Sequence, residues 1–122
     1  MKIEVSIGEA LDKLSILSIK MDKIKDQTKL ENISKEYFRL IHPIEERMLI
    51  DPLYKDLKSI NEKLWNIEDD IRQCEKYGDF NLNFIRLARM VYHNNDKRAE
   101  IKKEINIKYG SDLIEEKEYQ AY

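Results

Sequence analysis

One cysteine, two prolines and three glycines among 122 residues leave little to cross-link this chain or to break it. The single cysteine, Cys74, rules out an internal disulfide. The two histidines, His42 and His93, each lack a second histidine at ligand spacing, which argues against zinc. No apolar run approaches the roughly 20 residues needed to span a bilayer. The opening MKIEVSIGEALDKL places charges where a signal peptide carries its apolar core. The sequence therefore predicts a cytoplasmic chain with no membrane insertion. Neither sign of charge dominates, because 22 Lys and Arg face 24 Asp and Glu for a net charge of -2. Such a balance gives no long-range field to recruit nucleic acid, and no basic patch stands out. Also missing are a Gly-rich phosphate loop, a nucleophile elbow and a Ser/His/Asp order.

What is present is helical periodicity. A hydrophobic fraction of 42% beside a charged fraction of 38% fits a single helical domain over residues 1–122, with a narrow core and a charged exterior. Residues 2–5 alternate polar and apolar as a short extended segment. Ser6 and Glu9 then form an S-x-x-E capping box that starts a helix at Ile7. Its inner stripe reads Ala10, Leu14, Leu17, Met21 and Ile24, and Leu11 and Ile16 widen the apolar surface. A second helix carries Leu30, Ile33, Tyr37, Leu40, Ile44 and Met48, with an interruption expected at Pro43. Asp51-Pro52 is a cap followed by a first-turn proline, which opens a third helix ending at Gly78. A fourth helix opens after Asp79 and ends at Gly110. The last two helices are each roughly 40 Å long at 1.5 Å per residue, and their connection is only a few residues. The expectation is an all-α antiparallel bundle of three to four helices with a long C-terminal helical hairpin. Residues 110–122 form a tail that either frays or docks through Leu113, Ile114, Tyr119 and Tyr122.

The third helix carries the most informative pattern. Leu53, Leu57, Ile60, Leu64, Ile67, Ile71 and Cys74 make an apolar seam, on which Cys74 reads as a small buried hydrophobe. One residue later runs a second stripe through Tyr54, Lys58, Asn61, Trp65, Glu68 and Arg72. Stripes one residue apart are offset by roughly 100°, so this one lies on the shoulder of the buried seam. The fourth helix repeats the theme with Phe84, Ala88, Val91, Asn95, Arg98 or Ala99, Lys102 and Ile105. Asn61 lies seventeen residues before Gly78 and Asn95 seventeen after it, so the hairpin brings the two to one level. The resulting ligand-binding candidates are Asn61, Trp65, Glu68, Asp69, Arg72, Tyr92, Asn95 and Arg98. Trp65 and Tyr92 offer flat faces for stacking, and Arg72 or Arg98 offers bidentate bonds to phosphate or carboxylate. The competing interpretation is an internal network in which Glu68 neutralises Arg98 and Asn95 fixes helix register.

The run Glu68-Asp69-Asp70 does not make a metal site by itself, because consecutive helical residues point about 100° apart. A magnesium or manganese site would need Asp69 with Glu62 or Asn66 and a carboxylate such as Asp96 or Glu100. No metal and no cofactor is assigned.

Four segments, SIGEALDKLSILSIK, DPLYKDLKSINEKLWNIEDDIR, YHNNDKRAEIKKEIN and EEKEYQAY, together resemble a small bacterial family known only as a domain of unknown function. The resemblance covers nearly the whole chain. The opening, the LW-x-x-ED element at Leu64–Asp69 and the N-x-x-R element at Asn95–Arg98 also resemble a second uncharacterised helical family. The resemblance implies a bacterial or phage protein of the cytosol, often encoded beside glycosyltransferases for lipopolysaccharide and other surface polysaccharides. It implies no reaction. The function expected is a non-catalytic helical binding or assembly module, accessory to surface-polysaccharide biosynthesis and pairing as a homodimer or with a protein partner. The alternative is a protein that binds a nucleotide or nucleotide sugar, or hydrolyses it with a divalent metal, through the polar cluster between helices three and four. The paired-helix carboxylate spacing of helical nucleotide pyrophosphatases is not matched, so that likeness is one of architecture alone.

Overall fold

The computed structural model describes all 122 residues and is all-helical. Five helices follow in order: α1 (Ile7–Lys23), α2 (Gln27–Ile41), α3 (Glu46–Leu49), α4 (Pro52–Tyr77) and α5 (Leu82–Lys108). Local chemistry sets most of the boundaries. Ser6 caps α1 by accepting from the Glu9 N–H at 3.1 Å. The Glu9 side chain does not return to complete the capping box; it reaches across to Lys102 instead. Asp26 caps α2 through the Lys29 N–H. Pro43 follows the end of α2, so the expected second helix is divided, and Met48 belongs to the single-turn α3.

Asp51 caps α4 by accepting from the Leu53 N–H at 2.8 Å, with Pro52 in the first turn. The buried Asp51 carboxylate also receives Lys108 Nζ at 2.6 Å and the Tyr109 hydroxyl, which pins the start of α4 to the end of α5. At the other end of the hairpin Gly78 takes φ 65°, and the following Asp79 N–H closes on the Cys74 carbonyl.

The long helices α4 and α5 pack along each other, and α1 lies against both. α2 touches α1 alone. Because α1 is held between α2 and the hairpin, its buried surface is broader than a single stripe. Leu11, Leu14, Leu17 and Ile19 are buried, together with Gly8, Asp12 and Ser15. Ala10, Met21 and Ile24, expected on the inner stripe, remain only half-buried.

Two apolar clusters lie along the hairpin, while Leu14, Leu17, Ile19, Ile33 and Ile60 are buried outside them. One joins Leu11, Met48, Leu57 and Ile105 near the open ends of the hairpin. The other joins Ile67, Cys74 and Leu87 toward its turn. Along α4, Asn61 falls between Leu57 and Ile67; along α5, Arg98 falls between Ile105 and Leu87. Polar residues thus stand between these two clusters along the hairpin.

Beyond Gly110 the chain has no regular structure, but side chains tie it to the bundle. Glu115 meets Lys102 at 3.1 Å, Glu116 meets Lys103 at 2.9 Å, and the Tyr122 hydroxyl bonds Asp96 and lies 3.3 Å from His93 Nδ1. Leu113, Ile114, Tyr119 and Tyr122 stay exposed, so the attachment is made by ion pairs, hydrogen bonds and the edge contacts of the Tyr122 ring rather than by burial.

Candidate functional site

Residues at helical spacing on α4 place Asn61, Leu64, Trp65, Glu68, Asp69 and Arg72 along one side of a groove. Val91, Asn95 and Arg98 of α5 form the other side, and Ile16 of α1 also lines it. The groove has a volume of about 500 Å³ and is open to solvent. Seven of the eight candidates named from the sequence therefore line a single concavity. Tyr92 does not; it turns away from the groove and packs edge-on against Tyr122 with ring centroids 5.4 Å apart.

The base of the groove is built on Asp12, which is 1% exposed. Its carboxylate receives Arg98 Nε at 2.9 Å, Arg98 Nη2 at 2.5 Å and Asn61 Nδ2 at 2.9 Å. The Asn61 amide also donates to Ser15 Oγ at 2.8 Å, and that hydroxyl donates to the Asp12 carbonyl. No fully buried side-chain nitrogen or oxygen lacks a partner. Neutralisation of Arg98 by Glu68, the expected internal network, does not occur. Glu68 instead faces Arg72 at 3.5 Å on the exposed rim, a contact worth little in water. Arg98 Nη1 lies 3.5 Å from Asn95 Oδ1, at the limit of a hydrogen bond. The hydrogen bonds to Asp12 raise the Arg98 pKa above its ordinary value, outweighing burial, which acts to lower it.

A second charged group adjoins this base. Lys102 is buried, and its Nζ bonds Glu9 at 2.6 Å and Glu115 at 3.1 Å, with Asp12 at 4.0 Å. Burial lowers the Lys102 pKa, but the bonds from Glu9 and Glu115 and the nearby Asp12 charge outweigh it and leave it raised. α1 approaches α5 closely at this level. The Gly8 N–H donates to buried Asn106 Oδ1 at 2.6 Å, and a Cβ on Gly8 would lie 2.5 Å from the Lys102 carbonyl oxygen.

Asp12 and Ser15, like Glu9 and Lys102, were absent from the candidates drawn from sequence. A signal did exist: Asp12 and Ser15 stand three residues apart among Leu11, Leu14 and Ile19, so a polar pair shares the apolar side of α1. No three His, Cys, Asp or Glu side chains converge at the distances a metal ion requires.

A family model described as a family of unknown function, DUF6165, matches residues 1–122. The chain belongs to that family. Every residue of the groove and of its base lies within the DUF6165 match. No curated protein and no solved structure matches the chain.

Proposed function

We propose that this member of DUF6165 is a non-catalytic helical binding module. It takes a polar ligand in the α4–α5 groove and pairs with a protein partner or a second copy through α2. One observation carries the binding assignment: the groove has a buried, internally satisfied base and chemically varied, accessible walls. Asp12 stands behind Arg98 and Asn61 with its oxygens occupied. A general base needs a lone pair within reach of its substrate, and this carboxylate is 1% exposed and screened from the groove by its two partners. Trp65, Glu68, Asp69 and Arg72, by contrast, face the open groove. The assembly surface is supported by α2, which packs on α1 only and leaves Phe38 63% exposed. The setting, surface-polysaccharide synthesis in the bacterial cytoplasm, is supported by the resemblance of the opening, LW-x-x-ED and N-x-x-R elements to families encoded beside glycosyltransferases.

The test is complementation. In a bacterium lacking this gene, a Trp65→Ala chain with unchanged circular dichroism should fail to restore the surface-polysaccharide profile that the parent chain restores. Full restoration by Trp65→Ala would overturn the groove as the working surface.

A second reading, binding or hydrolysis of a nucleotide or nucleotide sugar, is favoured by one feature. The Arg72 guanidinium is 78% exposed and borders the same groove as Trp65, so a base and a phosphate have partners there. A melting screen with nucleotides, with and without magnesium, checks it. A ligand at a hundred times its Kd stabilises by about 2.7 kcal/mol.

A further inference from the structure

The walls and base of the groove differ in how they present charge, and that difference selects among ligands. Two of the five nitrogen-bound hydrogens of Arg98 are spent on Asp12, and the pair is close enough to cancel its charge locally. What remains on the groove side is a set of directional N–H donors carrying little net charge. The walls then add two more carboxylates, Glu68 and Asp69, against one further arginine, Arg72. Three carboxylates against two arginines make a poor seat for a phosphate dianion. They make a good one for hydroxyl groups, because each hydroxyl can donate to a carboxylate while accepting from an amide or guanidinium.

The apolar lining fits the same class of ligand. Trp65 is half-buried and borders the groove with Leu64, Val91 and Ile16. An indole face beside hydrogen-bonding groups suits a ring that is apolar on one face and hydroxylated at its edge. A pyranose has that construction. The volume of about 500 Å³ falls in the range of small-molecule sites and accommodates a sugar unit without further opening.

We propose that the groove recognises a neutral, hydroxyl-rich sugar ring, stacked on Trp65 and bonded between Glu68 or Asp69 on one wall and Asn95 or Arg98 on the other. The assignment rests on the groove being the binding site, and it names the ligand class that site takes. It also sets the sugar, rather than any phosphate attached to it, as the recognised part.

Trp65 is the only tryptophan, so its emission reports on the groove without labelling. The full chain is titrated with methyl pyranosides of glucose, galactose, mannose and N-acetylglucosamine and with their disaccharides. Inorganic phosphate and uridine diphosphate form the comparison set. At least one neutral sugar should shift the Trp65 emission saturably, with amide NMR shifts confined to residues 16, 61–72 and 91–98. Its apparent Kd should change by less than about twofold between about 0.05 M and 0.5 M NaCl, because no net charge is exchanged. Of Glu68→Gln and Asp69→Asn, exposed changes that leave the base intact, at least one should weaken it at least about threefold, the loss of a charge-assisted bond, and no effect of either would overturn the assignment.

Tighter binding of uridine diphosphate or phosphate than of any sugar, falling steeply with salt, would overturn the sugar assignment and leave the groove as the binding site. A flat response to the whole sugar panel would also overturn it, and the Trp65→Ala complementation then decides separately whether the groove works at all. Shifts away from the groove would overturn it too.

Discussion

Asp12 and Arg98 stand 86 residues apart in the chain and meet as a parallel two-bond pair, Nε and Nη2 on the two carboxylate oxygens. The same carboxylate holds Asn61, so three helices converge on one buried charge. Asp12→Ala would leave Arg98 inside the bundle without its counter-charge and Asn61 with Ser15 Oγ as its one remaining acceptor. The expected loss is about 3 kcal/mol, at the lower end for a broken buried pair because the Arg98 side chain keeps 29% exposure. Asp12→Ala with Arg98→Ala should lose less than the sum of the two single changes. Urea unfolding of the four chains measures that coupling.

Gly8 and Gly78 predict opposite kinds of sensitivity. Gly78 has left-handed φ but open space around it, so Gly78→Ala meets only backbone strain of about 1 kcal/mol. Gly8 has no such φ, yet its added methyl would meet the Lys102 carbonyl at 2.5 Å and Asn106 Oδ1 at 2.9 Å. Neither neighbour yields freely, since one is backbone and the other accepts the Gly8 N–H. Gly8→Ala should therefore cost about 2 kcal/mol or more, with α1 displaced from α5. Thermal melts rank the two.

The Asp51 carboxyl is held down to about 2, first by the hydrogen bond from Lys108, then by Tyr109 and the Leu53 N–H. Its pKa in an unfolded chain is about 3.9. The depressed group therefore contributes stability that is complete above about pH 4 and disappears as the pH falls toward about 2. Asp51→Asn should flatten the stability profile across that window while leaving its shape near neutrality alone. Denaturant midpoints at closely spaced acidic pH values would show it; an unchanged slope would count against the Asp51 clamp.

At the far end of the chain, the hydrogen bond to Asp96, followed by desolvation, raises the Tyr122 hydroxyl to about 12. A raised pKa favours the neutral phenol in the folded state. The tail contact is thus complete below about pH 10, the free phenol value, and is lost as the pH climbs to about 12. Ultraviolet titration of the seven tyrosines should lose one late-titrating group in Tyr122→Phe. Tyr54, which burial also pushes up to about 12, should remain.

Helix boundaries were legible where one residue type satisfies a local need. Ser6, Asp51-Pro52 and Gly78 each act within a few residues of themselves, and each marks the end it was expected to mark. The hairpin register was equally accessible, because a short turn forces positions equidistant from Gly78 to one height. That is how Asn61 and Asn95 come to line one groove. Tyr92 was placed there too, but it lies outside the groove lining, exposed and edge-on to Tyr122. A shift of one residue along a helix turns a side chain by about 100°, and periodicity alone does not settle which shoulder faces in.

The sequence by itself determined an all-helical chain, its caps and breaks, and a hairpin whose polar shoulder is rich in binding chemistry, because those properties depend on short-range geometry. Only the tertiary structure decided that Asp12, rather than Glu68, neutralises Arg98, and that Glu9 leaves its own cap to meet Lys102. Those pairings depend on where α1 crosses the hairpin. That crossing is set by the sum of many weak packing contacts and by the close approach at Gly8, which no local pattern encodes.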